Sequence, residues 1–414
     1  MPWIVSGVME ERARFVIEYE SGEWTMAELC RQHGISRKTG YKTLARWEQG
    51  GAEGLKDLSH APRRHPNQTA AELEEAVLRL RRAHMRWGPR KLRGWLEAHS
   101  LRQVWPAAST IGELLKRAGL AHARRQRPRT PPYTQPFAAA DQANAVWCAD
   151  FKGWFRTQDG ERIDPLTMSD AYSRYLLRCQ AVDKADTAAV RGIAEAAFRE
   201  YGMPWAIRTD NGPPFASRAI AGLSRLSVYW MKLGIVPERI QPGHPEQNGR
   251  HERMHRTLAA ETADPPQANR RRQQAAFDGF RREFNQERPH EALGMRTPAS
   301  VYTASPRPYP ERIAEPEYDS GFTVRRVYPH GQFFWKHHDV FLSKALAGER
   351  IGLEPIDERY WCVCFGDFPV AWFDSVELVT GNLPTGGIPV GGNQEIAKSR
   401  DSLIPTDTTT TAGL

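Results

Sequence analysis

Residues 145–155, A-V-W-C-A-D-F-K-G-W-F, open the stretch that decides the fold. Apolar and aromatic side chains dominate it, and it reads as a strand. After a turn at Q-D-G-E (158–161), E-R-I-D-P-L-T-M-S-D (161–170) and Y-L-L-R-C-Q-A-V (175–182) read as two further strands. D-T-A-A-V-R-G-I-A-E-A-A-F-R-E-Y-G (186–202) is a helix capped by Asp186. P-W-A-I-R-T-D-N-G (204–212) is a strand running into a loop, and S-R-A-I-A-G-L-S-R-L-S-V-Y-W-M-K-L-G (217–234) is a helix. I-V-P-E-R-I-Q-P (235–242) is a short strand, and P-E-Q-N-G-R-H-E-R-M-H-R-T-L-A-A-E (245–261) begins a long helix. Three successive strands, then alternating helices and strands, predict an α/β fold on a mixed sheet of five strands.

Upstream the pattern is all helical. Thr25 and Glu28 form the T-x-x-E signature of a capping box before a helix that Gly34 ends. Ser36 caps S-R-K-T-G-Y-K-T-L-A-R-W (36–47), whose apolar or aromatic positions are Tyr41, Leu44, Ala45 and Trp47. Helix, glycine turn and basic helix over 9–57 fit a helix-turn-helix, with Arg37, Lys38 and Lys42 facing DNA. A small helical bundle with a solvated basic face fits the same residues. After the linker at 59–68, residues 69–122 repeat the theme. They carry an apolar stripe at Leu73, Ala76, Val77 and Leu80, a helix with Pro89 near its start, and a helix capped by Ser109 that ends at Gly119. This second block also reads as a helix-turn-helix. Residues 123–139 form a basic, proline-rich linker.

Downstream of the α/β stretch, residues 308–380 alternate aromatic and polar positions in short runs, which predicts a small β-barrel. Residues 381–414 are rich in Gly, Thr, Ser and Pro and are expected to be a disordered tail.

Bulk composition narrows the partners. The 414 residues carry a formal net charge of +8, an electrostatic footprint that suits nucleic acid. The five cysteines are scattered and odd in number, which argues against a disulfide framework and fits a reducing cytoplasm. Cys362 and Cys364 in W-C-V-C-F share one face of a strand and read as core thiols, since a metal clip needs further ligands that the neighbouring sequence lacks. No window approaches the roughly 18 apolar residues of a membrane span.

Two aspartates stand out. Asp150 lies in an apolar strand, where a carboxylate is costly unless a metal or a basic side chain pairs with it. Asp210 ends a strand, where open sheets build their sites, although D-N-G is also a common turn. A third carboxylate is available downstream at Glu246 or Glu252.

Taken together, T-D-N-G (209–212), P-E-Q-N-G-R-H-E-R (245–253) and the W-x-x-D strand (147–150) resemble the integrase catalytic domain of retroviruses and insertion-sequence transposases. The resemblance covers about 140–303, and the two upstream helical blocks look like those of insertion-sequence transposases. It implies a ribonuclease H-like core and a DDE-type polynucleotidyl transferase that cleaves and joins DNA at the ends of an insertion sequence. Asp150, Asp210 and one glutamate would hold Mg2+, with Mn2+ able to substitute, for in-line displacement at phosphorus.

Counting favours Glu246, because 246−210−1 leaves 35 intervening residues. Register favours Glu252, three residues after Gly249 as in the family's helix. The two glutamates point roughly 120° apart on a regular helix, so one site takes only one of them. The expectation is Glu252, with Glu246 a first-turn carboxylate favoured by the helix dipole. Arg250, Arg253, His255 and Arg256 on the same helix would meet DNA, or else form a solvated charged face. His244 would contact substrate or cap the helix. Asn285, Arg288, Pro289 and His290 resemble a segment that closes the domain and read as structural.

No His/Cys zinc spacing precedes residue 140, which sets this sequence apart from retroviral integrases. The resemblance further implies a homo-oligomer on double-stranded DNA, in the cytoplasm with the nucleoid. A non-catalytic DNA-binding regulator derived from a transposase is the alternative.

Overall fold

A computed structural model describes residues 7–57, 68–100, 102–121, 140–217, 219–240 and 249–383. The linker at 123–139, His244, Glu246 and the tail beyond 383 lie outside the described residues. The chain divides into two compact units, residues 1–70 and 71–414.

The first unit holds α1 (Val8–Glu20), α2 (Met26–Gln32) and α3 (Arg37–Gly54). Glu28 reaches back to the backbone N–H of Thr25 at 3.0 Å, and Ser36 caps α3 by accepting from Thr39 N at 3.2 Å. Phe15, Val16, Met26, Leu29, Cys30, Leu44 and Leu55 form its core. Helix crossing is tightest at Gly40. A Cβ there would lie 2.7 Å from Cys30 Sγ and 2.9 Å from Met26 Sδ and Phe15 Cζ. Leu44 is buried as its stripe requires, but Tyr41 is 58% exposed and turns outward. The reason is helical phase: Gly40 and Leu44, four apart, take the inward face, and Tyr41 follows the exposed Arg37, Lys38 and Lys42.

In the second unit, α4 (Ala71–Ala83), α5 (Pro89–His99) and α6 (Ala108–Arg117) enclose Val77, Leu80, Trp87, Leu92, Leu96, Ile111, Leu114 and Leu115. The helix boundary corrects one expectation. Ala107 is the N-cap of α6, and Ser109 lies inside its first turn without a capping bond.

The α/β layer follows. Its strands are β1 (Val146–Phe151), β2 (Phe155–Arg156), β3 (Arg162–Asp170), β4 (Leu176–Val182), β5 (Ala206–Thr209) and β6 (Val236–Arg239). Its helices are α7 (Thr187–Tyr201), α8 (Arg225–Lys232), α9 (Gly249–Thr262) and α10 (Arg270–Gln286). The main strands run β4-β3-β1-β5-β6, with two-residue β2 paired to the start of β3. Pairing is antiparallel among β4, β3 and β1 and parallel among β1, β5 and β6, the mixed sheet expected.

Strand alternation sorts side chains to two faces. Trp147, Ala149, Leu166, Met168 and Ile207 pack under α7 and α8. Ile163, Cys179 and Ala181 pack with Met254 and Leu258 of α9 and Phe277, Phe280 and Phe284 of α10. Trp87 Nε1 donates to Glu283 on α10 at 3.2 Å, and the His84 ring stacks on Trp87 at 3.8 Å, so α4–α6 is fastened to the core. Asn285 brackets the backbone of Leu176, accepting from its N–H at 2.8 Å and donating to its carbonyl at 2.9 Å. Arg288 pairs with Glu261 at 3.0 Å, so both act structurally as read.

The C-terminal strands are β7 (Thr323–Arg326), β8 (Gln332–Trp335), β9 (His338–Phe341), β10 (Arg350–Pro355), β11 (Tyr360–Phe365), β12 (Phe368–Asp374) and β13 (Val379–Gly381). They do not close into a barrel. An open antiparallel sheet runs β7-β10-β11-β12-β13, and β8 pairs only with β9. The hairpin is held by side chains instead of ladders: Arg325 donates to Phe334 O at 3.1 Å and Thr380 to Phe341 O at 2.7 Å. Its Phe333, Trp335 and Val340 cover Ile351, Leu353, Val363 and Phe373, which hides the apolar face without the continuous pairing a barrel requires. Cys362 and Cys364 are buried core thiols. The same core takes in Leu223, Val228 and Met231 around α8, and Lys232 pairs with Glu349 at 2.7 Å.

Replacing Gly40 with Ala should destabilise the first unit by about 1–3 kcal/mol through overpacking. Hydrogen exchange at the Leu29 and Leu44 amides of the full chain would rise accordingly, and unchanged protection would refute the close crossing.

Candidate active site

The site is built on the α9 face of the sheet. Trp147 and Ala149 point into the opposite core, so pleat alternation sends Asp150 toward α9. Its antiparallel partner Thr167 shares that face. On the other side, β1 and β5 pair in parallel with Cys148 opposite Arg208. Two residues further along come Asp150, still in β1, and Asp210, one residue past the end of β5.

Asp210 is held by its own turn. Gly212 N–H donates to its carboxylate at 3.2 Å, and Asn211 Nδ2 donates to Ile240 O at 2.6 Å, tying the D-N-G loop to the end of β6. Burial pushes the Asp210 carboxyl above the usual carboxylate range, only partly offset by the Gly212 bond. A carboxylate starved of solvation in this way is stabilised by a neighbouring cation.

Helix α9 presents two faces. Its exposed side carries Glu252, Arg253 and Arg256. Its buried side carries His251 and His255, four residues apart and 3% and 8% exposed. Both imidazole Nε2 atoms meet the buried Thr167 hydroxyl, at 2.6 and 2.7 Å. That hydroxyl donates to the backbone carbonyl of Asp150 at 3.2 Å, while Ser169 Oγ lies 3.3 Å from His251 Nδ1. His255 Nδ1 stands 4.0 Å from Asp150 Oδ2. Burial holds both imidazoles neutral, pulling His251 down to about 4 and His255 down to about 2, where His251 and Lys152 add to the effect.

The residues expected from the sequence are thus distributed as follows. Asp150 is in β1, Asp210 follows the end of the neighbouring β5, and Glu252 is on α9. Among the described residues, the donor atoms gathered within 4.8 Å of one another belong to Asp150, His251 and His255; Asp210 and Glu252 are outside that group. Arg250 is in the first turn of α9. Arg37, Lys38 and Lys42 are exposed on α3. Sequence reasoning missed Thr167 and His251, and it placed His255 only in a basic surface cluster. The signal was the H-x-x-x-H spacing, which puts 251 and 255 on one helical face.

The Thr167 hydroxyl satisfies two buried ring nitrogens at once. Thr167→Val should therefore cost about 2–4 kcal/mol, whereas Thr167→Ser should cost under about 1.5 kcal/mol. Urea midpoints of the two variants check this, and equal losses would count against the hydroxyl's role.

Comparison with known proteins identifies the domains. Residues 140–245 and 233–298 each match models described as an integrase core domain. Residues 11–64 match a helix-turn-helix domain, and residues 39–115 match a homeodomain-like domain. An uncharacterized 39.2 kDa protein of insertion element IS476 from Xanthomonas euvesicatoria is 31% identical over 58% of this chain and 66% of its own length. An uncharacterized 31.7 kDa protein of insertion element IS407 from Burkholderia multivorans is 27% identical over 56% of this chain and 82% of its own. Among solved structures, a simian T-cell lymphotropic virus intasome chain matches with 16% identity, TM-score 0.34, 72% of this chain and 95% of that one. The HTLV-2 integrase catalytic core in complex with magnesium matches with 17% identity, TM-score 0.31, 39% of this chain and 97% of that one. Likeness that loose has no bearing on activity. The matched domains and the insertion-element relatives give the chain its family: it belongs to the insertion-sequence transposases with an integrase-type core.

Proposed function

We propose that the chain cleaves DNA at the ends of its own insertion sequence and joins those ends to target DNA, using Mg2+ held by Asp150, Asp210 and Glu252, with Mn2+ able to substitute. The observation that supports this reading is the parallel pairing of β1 and β5, which brings Asp150 and Asp210, the residue after β5, to the same end of adjacent strands. Hard carboxylate oxygens are the donors that magnesium accepts, and the raised Asp210 fits a group that gains from a cation beside it. Two such ions, when bound, activate the attacking oxygen and stabilise the leaving one in an in-line displacement at phosphorus.

The chain's own residues do the remaining work. Asp150 would serve both ions, Asp210 one and Glu252 the other. Arg250, Arg253 and Arg256 run along α9 and would neutralise phosphates near the reacting bond. In the first unit, Arg37, Lys38 and Lys42 on α3 would hold duplex DNA of the element ends. Two DNA ends handled together call for a homo-oligomer, and the enzyme would work in the cytoplasm with the nucleoid. Among the described residues no helix is long and apolar enough to cross a membrane. The alternative, a regulator that binds DNA without cutting it, is disfavoured by the retained aspartate pair.

Strand-transfer assays on the element's own ends test this. Ala at Asp150, Asp210 or Glu252 should each lower the rate by at least about a thousandfold, while Glu246→Ala retains activity. Wild-type rates in the first three would sink the reading, and the converse glutamate result would move the third carboxylate to Glu246. Separately, Ala at Arg37, Lys38 or Lys42 should each reduce the slope of log binding constant against log salt by about 1.

A further inference from the structure

The three buried groups Thr167, His251 and His255 have no part in the reading above, and their protons can be counted. A hydroxyl has one hydrogen to donate and two lone pairs to accept with. Thr167 gives its hydrogen to the Asp150 carbonyl, and its two remaining contacts are the Nε2 atoms of His251 and His255. With the hydroxyl hydrogen on that carbonyl, both imidazoles donate from Nε2. A neutral ring protonated at Nε2 carries a lone pair at Nδ1. For His251 that lone pair accepts from Ser169 Oγ. For His255 it faces Asp150 Oδ2 across 4.0 Å, about twice the length of a bond from a divalent ion to nitrogen or carboxylate oxygen.

The rest of the arrangement has the form of ligand support. A metal-bound imidazole characteristically donates its other N–H to a fixed acceptor, which sets its tautomer and orientation. Thr167 is that acceptor, buried on β3 and paired directly with Asp150. The acceptor, the imidazole and the carboxylate come from β3, α9 and β1; β3 and α9 share the core around Met254 and Leu258, and β1 pairs with β3.

We propose that His255 Nδ1 is a ligand of the ion that Asp150 holds, so that the centre has a mixed nitrogen and oxygen donor set and favours Mn2+, which accepts imidazole nitrogen more readily, over Mg2+. This rests on the reading of Asp150 as a metal ligand. Imidazole raises affinity for the later first-row ions far more than for magnesium, which prefers oxygen. His251 is a positioning residue that shares the Thr167 acceptor and braces the first turn of α9. The histidines thereby also fix the helix bearing Glu252 against the strand bearing Asp150.

Pulsed electron paramagnetic resonance of the full chain loaded with Mn2+ tests the ligand directly. The expected spectrum shows modulation from a directly bound 14N, converted to the 15N pattern when the wild-type protein is labelled with 15N-histidine. His255→Gln should abolish the nitrogen signal, keep Mn2+ bound with roughly tenfold lower affinity, and narrow the Mn2+ over Mg2+ preference by a similar factor. If His255→Gln fails to fold, His255→Asn is read in its place, and survival of the signal in His251→Gln and His244→Gln excludes those two neighbours. Mn2+ bound through Asp150 with no histidine nitrogen signal, or a signal that persists in His255→Gln, overturns the inference and leaves the carboxylate reading intact. Binding of Mn2+ unaffected by Asp150→Asn overturns the carboxylate reading itself.

Discussion

The pleat of β1 is the constraint on which the site depends. A strand must send alternate side chains to opposite faces. Trp147 and Ala149 are taken by the core under α7 and α8, so Asp150 has only the α9 face available. Its antiparallel partner on that face is Thr167. A carboxylate and a hydroxyl on the buried side of a sheet require polar company, and α9 supplies it with two imidazoles one turn apart. Shifting β1 by one residue would turn Asp150 into the apolar core and Trp147 toward α9, and the fold and the site would fail together.

Packing extends this rigidity outward through two helices. On one face α10 continues the core from α9, and its Glu283 receives Trp87 from the α4–α6 block. On the other, α8 offers Trp230 and Leu226 to the sheet and Val228 and Met231 to the C-terminal strands. Helix α8 is apolar on more than one side because it has a layer on each side, whereas α10 keeps one apolar stripe and meets the α4–α6 block through Glu283. The C-terminal sheet is thus seated on the integrase-type core by shared apolar surface with the Lys232–Glu349 pair beside it, and the second helical block by polar contacts from Trp87 and His84 to Glu283.

Electrostatics at the site follow from burial more than from charge. The Asp210 carboxyl is raised because water is excluded, and the imidazoles are lowered for the same reason. The outer face of α9 carries exposed Arg253 and Arg256. One helix therefore has a buried face with two neutral imidazoles and an exposed face with Glu252 beside two arginines.

The sequence alone determined the α/β order, the mixed sheet and the helix caps at Ser36 and Asp186, and it singled out the two aspartates as candidates. These follow from local periodicity and from short motifs whose residues are neighbours along the chain. It also made Glu252 preferable to Glu246 by register. Other features were decided by tertiary structure. Tyr41 turned outward because Gly40 took the crossing, and the expected barrel stayed open because a hairpin covered its apolar face. The Thr167–His251–His255 group brings together residues 84 and 88 positions apart. Hydrophobic pattern fixes which face a residue occupies, but which polar groups meet on that face depends on strand register and helix docking, and only the packed chain sets those.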